Sequence, residues 1–232
     1  MLTLSFSNSF MTLLWLRRSI LITLWLGLLI FAFGFSPPTD PNTLALIKQL
    51  SLGQWQGINP VIIALFNLMG VWPLIFGAVM LVDGQGQKIP AWPFLVGSFF
   101  LGAFTILPYL ILREPNAHVM EDPPQNLGLW DSPWLGRGLL LVAIACVGGA
   151  VGWGDWGDFG QQWRQSQFIA VMSSDFLCLC LAFPFIAADD LRRRHIFSGL
   201  NLGLICALPL FGPLLYLACR PPLQSLKPCP PQ

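Results

Sequence analysis

Charge is what this chain has least of. Only 10% of its 232 residues are Asp, Glu, Lys or Arg, against about 25% in an ordinary soluble domain. The net charge is +1, so nothing electrostatic recommends nucleic acid or an acidic partner. Histidine is almost missing. His118 and His195 fall in different loops and make no active-site pair. The six cysteines contain no CxxC spacing. Cys178 and Cys180 would point about 200° apart on a helix and would not share a metal. Most of the thiols sit in apolar runs, where a cysteine acts as a small hydrophobe. There is no catalytic signature, no motif that specifies a cofactor, and no 20–50-residue period of the kind that builds repeat arrays.

What the chain has instead is apolar sequence. Hydrophobic residues make up 55% of it. They gather in stretches near 19–35, 61–82, 92–112, 136–153, 168–188 and 197–219. Crossing a hydrocarbon layer of roughly 30 Å takes about 20 helical residues. The expected fold is therefore all-α: a polytopic bundle of six transmembrane helices over 19–219. Arg17 and Arg18 precede the first stretch as in a signal peptide. However, the run reaches Phe35 and then meets Ser36-Pro37-Pro38 without a small-x-small site, so an uncleaved span is expected. Residues 1–18 read as an interfacial segment, and 220–232 as a Pro-rich tail.

The connections are polar or Pro-rich. Residues 42–52 carry Leu44, Ile47, Leu50 and Leu52 in the pattern of a short surface helix. The segment 113–133 holds Glu114, Glu121, Asp122 and Asp131 and reads as a solvated loop. Trp153, Trp156 and Trp163 read as a headgroup-level belt. Gly148, Gly149 and Gly152 suit close helix packing. Asn67 and Asn201 suit interhelical hydrogen bonds. Pro209 and Pro213 are expected to kink the last helix.

One ionisable residue lies deep in an apolar stretch. Asp175 sits roughly 10 Å below the start of its helix, at 1.5 Å per residue. A carboxylate there costs about 2.5–3.5 kcal/mol and should seek a donor. Counting depth along six straight spans puts Tyr216 and Arg220 above it on one face of the last helix, with Ser98 level with it on the third. The expectation is a bond from Tyr216 or Arg220, with Ser98 in reserve. Arg192, Arg193 and Arg194 are expected to meet lipid phosphates. With six crossings the Lys and Arg residues divide equally between the two sides, and the positive-inside rule gives no orientation.

Residues 159–221 resemble an uncharacterised family of integral membrane proteins from cyanobacteria and plastids. The resemblance rests on Phe168, Ser174-Asp175-Phe176, the run from Asp189 to Arg194, the run from Pro209 to Tyr216, and Arg220-Pro221. It implies a photosynthetic membrane, thylakoid or plasma membrane, and no particular activity. Three functions are open to such a chain. The first is a non-enzymatic accessory, assembly or regulatory component, in contact with lipid and with other membrane subunits. The second is a small proton- or cation-coupled transporter using Asp175. The third, least supported by the residues, is an enzyme acting on lipid or quinone.

Overall fold

The first helix, α1, runs through Leu2–Ile30 and passes directly into a π-helical turn, Phe31–Phe35. No proline or glycine interrupts it before Gly27, so the expected separate segment over 1–18 continues into the apolar run. Pro37 stops it, because the residue before a proline is pushed out of helical geometry. In this computed structural model the described residues are 2–115 and 128–223, with side chains from 11 onward. The acids expected around Glu121 and Asp122, and most of the Pro-rich tail, lie outside them.

Among the described residues nine further helices follow: α2 Thr43–Ser51, α3 Pro60–Asp83, α4 Trp92–Leu101, α5 Ala103–Leu112, α6 Pro133–Trp153, α7 Trp156–Gln165, α8 Gln167–Arg193, α9 Gly199–Ala207 and α10 Phe211–Cys219. Their starts follow ordinary capping rules. Asn59, Ser132, Asp155 and Ser198 each accept a backbone N–H of the first turn, which satisfies a donor that the helix leaves over. Pro60 and Pro133 occupy first-turn positions, where their missing N–H costs nothing.

Among the described residues four helices are long and apolar enough to cross a membrane: Met11–Phe35, Pro60–Asp83, Pro133–Trp153 and Gln167–Arg193. Their length and composition fit a membrane protein. The other two expected spans, 92–112 and 197–219, are not single helices. Each breaks in the middle and turns back. At Gly102 the backbone takes φ 51°, and at Leu210 φ 68°. Both values lie in the left-handed region, which glycine enters freely and leucine rarely. Antiparallel contacts identify the first hairpin. Phe94 meets Tyr109 at 5.6 Å between ring centroids, and Gly97 lies against Thr105. In the second, Gly212 lies against Leu204 and Ile205. Both hairpins therefore leave and rejoin the same end of the bundle.

This path divides the chain into two halves of one design. A long helix (α1 or α6), a short one (α2 or α7), a second long one (α3 or α8) and a hairpin (α4–α5 or α9–α10) follow in the same order. The packing repeats as well. α1 lies on α5 as α6 lies on α10, and α3 touches α6 as α8 touches α1. α3 and α8 pack side by side at the centre, as across an approximate two-fold axis. From residue 60 to 115 the correspondence runs without a gap at a spacing of 107 residues. Asp83 pairs with Asp190, Leu107 with Leu214, Tyr109 with Tyr216 and Arg113 with Arg220. Phe76 and Phe183 are also such mates, and their rings meet at 5.5 Å. The first long helices share Trp15-Leu16-x-Arg18 and Trp134-Leu135-x-Arg137.

The main core lies between α3, α5, α8 and α10. Trp72, Phe76, Tyr109, Phe183 and Leu214 are wholly buried there. A small satellite core joins Leu50 of α2 to Ile62, Ile169 and Met172 at the opposite end.

Candidate functional site

Two places concentrate polar chemistry, one at each level of the bundle. The first is the end where both hairpins are rooted. Asp83 closes α3, and Asp189 and Asp190 stand near the end of α8. Arg113 and Arg220 follow the last residues of α5 and α10. Arg113 donates to Asp83 at 2.6 Å and to Asp189 at 2.5 Å. Arg220 donates to Asp190 at 3.0 Å. Tyr109 donates its hydroxyl to Asp83 at 3.1 Å, and Tyr216 donates to Asp190 at 2.6 Å. The repeat extends to backbone contacts. Arg113 reaches the carbonyl of Phe185, and Arg220 reaches that of Ala78; Ala78 and Phe185 are mates at the same spacing. Gln87 donates to the carbonyl of Glu114, and its mate Arg194 to that of Pro221.

The second half adds charges that the first lacks. Arg193 bridges Asp190 and Asp83 at 3.2 Å each, so it ties the halves together. Arg194 pairs with Asp190 at 3.0 Å and with Asp131 at 2.6 Å. Arg17 of α1 reaches Asp189 at 3.3 Å. Arg113, Arg193, Arg194 and Arg220 are each 2% exposed or less. Four helices end here, and their C-terminal dipoles favour cations. Burial opposes the Arg194 charge, but Asp190, Tyr216 and Asp131 more than offset it, so its pKa lies above the ordinary arginine value.

The second place is the tip of the α4–α5 hairpin. Asp175 of α8 is 5% exposed. Its Oδ1 accepts the backbone N–H of Ala103, the first residue of α5, at 2.6 Å. The carboxylate thus caps a helix start in the middle of the bundle, where the positive end of the dipole favours it. Gly102 is required there, because a Cβ would stand 1.9 Å from Asp175 Oδ2. Beside the carboxylate opens a cavity of about 430 Å³. Phe33, Phe66, Phe99, Phe100, Phe104 and Phe168 form much of its wall, and Ser98 and Thr43 also face it.

These contacts correct the partner expected for Asp175. Tyr216 and Arg220 do not reach it; they bind Asp190 at the rooted end. The depth count took 197–219 for one straight span, whereas the hairpin returns its last residues to the end where α8 finishes. Ser98 does line the Asp175 cavity, but its hydroxyl donates to the carbonyl of Leu95. The arginine triplet also separates. Arg192 is half exposed and lies over the Phe197 ring. Arg193 and Arg194 are buried among acids, because the turn after α8 folds them inward, and they are not headgroup contacts.

Sequence reasoning missed Asp83, Tyr109, Arg113, Asp131 and Asp189 as members of the cluster, and the Ala103 N–H as the partner of Asp175. Two signals were present. One is a glycine or proline near the middle of both stretches, Gly102 and Pro209. The other is Tyr-x-x-x-Arg at the end of both. Among the described residues no group of three or more His, Cys, Asp or Glu is placed to hold a metal. No known protein family, curated protein or solved structure matches the chain.

Proposed function

We propose that this protein is a non-enzymatic integral membrane component, an accessory or assembly factor. In this reading α1, α3, α6 and α8 cross the bilayer, and the two hairpins dip in from one side and return. The observation that carries it is the buried ion-pair cluster that fastens both hairpins to both central helices. Removing one partner from such a cluster leaves an uncompensated buried charge, at a cost of about 3–5 kcal/mol. A bundle locked in this way suits a rigid scaffold better than a carrier that must open at both ends. Backbone turned at half depth fits the same reading, since irregular backbone at membrane depth is tolerated when buried in protein.

The same reading breaks the tie between the two sides. Arg17, Arg18, Lys88, Arg113, Arg137, Arg192, Arg193, Arg194 and Arg220 fall at the rooted end, and Lys48 and Arg164 at the other. On this reading the positive-inside rule favours a cytoplasmic rooted end. The resemblance of residues 159–221 to cyanobacterial and plastid membrane proteins supports a photosynthetic membrane, thylakoid or plasma membrane, as its home.

Co-purification from native membranes in mild detergent tests the accessory role. A single stoichiometric membrane partner is the expected result; a free monomer counts against it. Labelling single cysteines at Gln85 and at Gln161 tests the topology, with Gln85 reached from the cytoplasmic side and Gln161 from the other. The second reading, a proton- or cation-coupled transporter, draws on Asp175 at the wall of an open cavity. Asp175→Asn separates the two. It abolishes coupled uptake by a transporter and leaves partner assembly intact in an accessory protein.

A further inference from the structure

The two halves share a scaffold, so the places where they differ in chemistry are not demanded by that scaffold. One such difference lies at the hairpin tips. Asp175 has Leu68 as its mate in the first half. Ser98, Phe99 and Phe100, at the tip of α4, have Ile205, Cys206 and Ala207 as theirs. The carboxylate is not needed to start a hairpin arm at half depth, because α10 begins at Phe211, after Leu210, with no side-chain cap. Nor are Phe99 and Phe100 needed to close a tip, since Cys206 and Ala207 stand at the mated positions of the other. An acid and the Phe99-Phe100 pair stand beside one tip alone, although Phe104 is matched by Phe211.

We infer that this cavity is a binding site for a lipophilic organic cation, one ammonium group carried on an apolar body. The inference deepens the proposed function, since it takes the Asp175 cavity as the working site of the accessory protein. Asp175 is 5% exposed and meets a backbone N–H, but among the described residues no cationic side chain lines the cavity. A buried carboxylate without a counter-ion is costly, and an ammonium ligand supplies one. Phenylalanine faces carry the negative part of the ring quadrupole and attract a cation held near their centres. Phe99, Phe100 and Phe104 of the hairpin and Phe66 and Phe168 of the long helices line the cavity. The Thr43 hydroxyl is buried there without a hydrogen-bond partner and can accept an ammonium N–H. About 430 Å³ lies within the range of small-molecule pockets. An anionic ligand would meet the carboxylate with no arginine to offset it, because the buried arginines are committed to the cluster at the rooted end.

The test uses the full chain in phosphatidylcholine nanodiscs and three probes of one shape: 4-phenylbutylammonium, 4-phenylbutanol and 4-phenylbutanoate. Saturable binding of the ammonium is expected, at least tenfold tighter than the alcohol, with the acid weaker still. Asp175→Asn should erase the preference for the ammonium while its amide oxygen still accepts from Ala103. Val171→Phe, which fills the cavity from α8 and leaves the carboxylate in place, should remove binding of ammonium and alcohol alike. Equal binding of ammonium and alcohol, or an ammonium preference that survives Asp175→Asn, overturns the cation assignment and leaves the cavity as a site. Absence of saturable binding by every probe overturns both the cation and the cavity. Co-purification of the partner with Asp175→Asn protein tests the accessory role independently of either outcome.

Discussion

The first half of the molecule and the second are built alike at one end and unlike at the other depth. At the rooted end each half sends Tyr-x-x-x-Arg back from its hairpin to an aspartate that closes its own long helix. Each arginine then reaches across to a carbonyl of the opposite half, at mated positions. Repetition there reflects a shared structural need, the fastening of each hairpin root to the central helices. At the tips the need differs, and so do the residues. The second half reinforces its lock with Arg193 and Arg194 where the first has Gly86 and Gln87. At the α4–α5 tip an acid and aromatic rings gather where the α9–α10 tip has leucine, cysteine and alanine. Likeness between mates therefore marks architecture, and unlikeness marks specialisation.

The sharpest way to break this comparison is to neutralise the two mated acids. Asp190 receives Arg193, Arg194, Arg220 and Tyr216. Among the bonds at Asp83 are those from Arg113, Arg193 and Tyr109, and Arg113 keeps Asp189 if Asp83 is lost. Asp190→Asn should cost about 3–5 kcal/mol, and Asp83→Asn less, measured as detergent-solubilised unfolding midpoints. The reverse order would show that the first half holds the lock.

Next in size is Gly102→Ala. Its new Cβ meets Asp175, and overpacking of this kind costs about 1–3 kcal/mol, in addition to the strain of a left-handed alanine. Adding Asp175→Ala to the same chain should recover the clash component. A double variant as unstable as the single one would mean that backbone strain alone is responsible. Tyr109→Phe and Tyr216→Phe come third, at about 1 kcal/mol each for one hydrogen bond. Equal losses sharpen the two-fold description, and unequal ones blunt it. The smallest effect is expected at Lys88→Ala. Its ion pair with Glu114 is 3.1 Å long but lies on the surface, with the lysine side chain 87% exposed. Surface pairs of this kind add little, so the midpoint should not move measurably.

The sequence made the helical, apolar character of the chain legible, along with the long helices α3, α6 and α8, because burial in lipid or core leaves long runs without charge. The hairpins were hidden by length. Two ten-residue arms and a turn make an apolar stretch as long as one crossing, and hydropathy does not distinguish them. Gly102, Pro209 and the repeated Tyr-x-x-x-Arg hinted otherwise, but glycine and proline are common in membrane helices and do not by themselves mark a turn. The error then spread from fold to site. With 197–219 taken as straight, Tyr216 and Arg220 were assigned to Asp175, although each belonged a full helix length away beside Asp190. The importance of Asp175 itself was legible from its isolation. Its partner was not, because a backbone N–H leaves no mark in a sequence. The repeat was missed because it spans half the chain and keeps only scattered identities.

Each half starts and finishes on the same face. A hairpin adds residues without changing parity, so a second copy joined head to tail points the same way as the first. Copying such a unit at the level of the gene yields a partner already correctly oriented, able to pack against the original through the same helix. One copy is then enough to hold the frame, and the other is free to drift toward a new task.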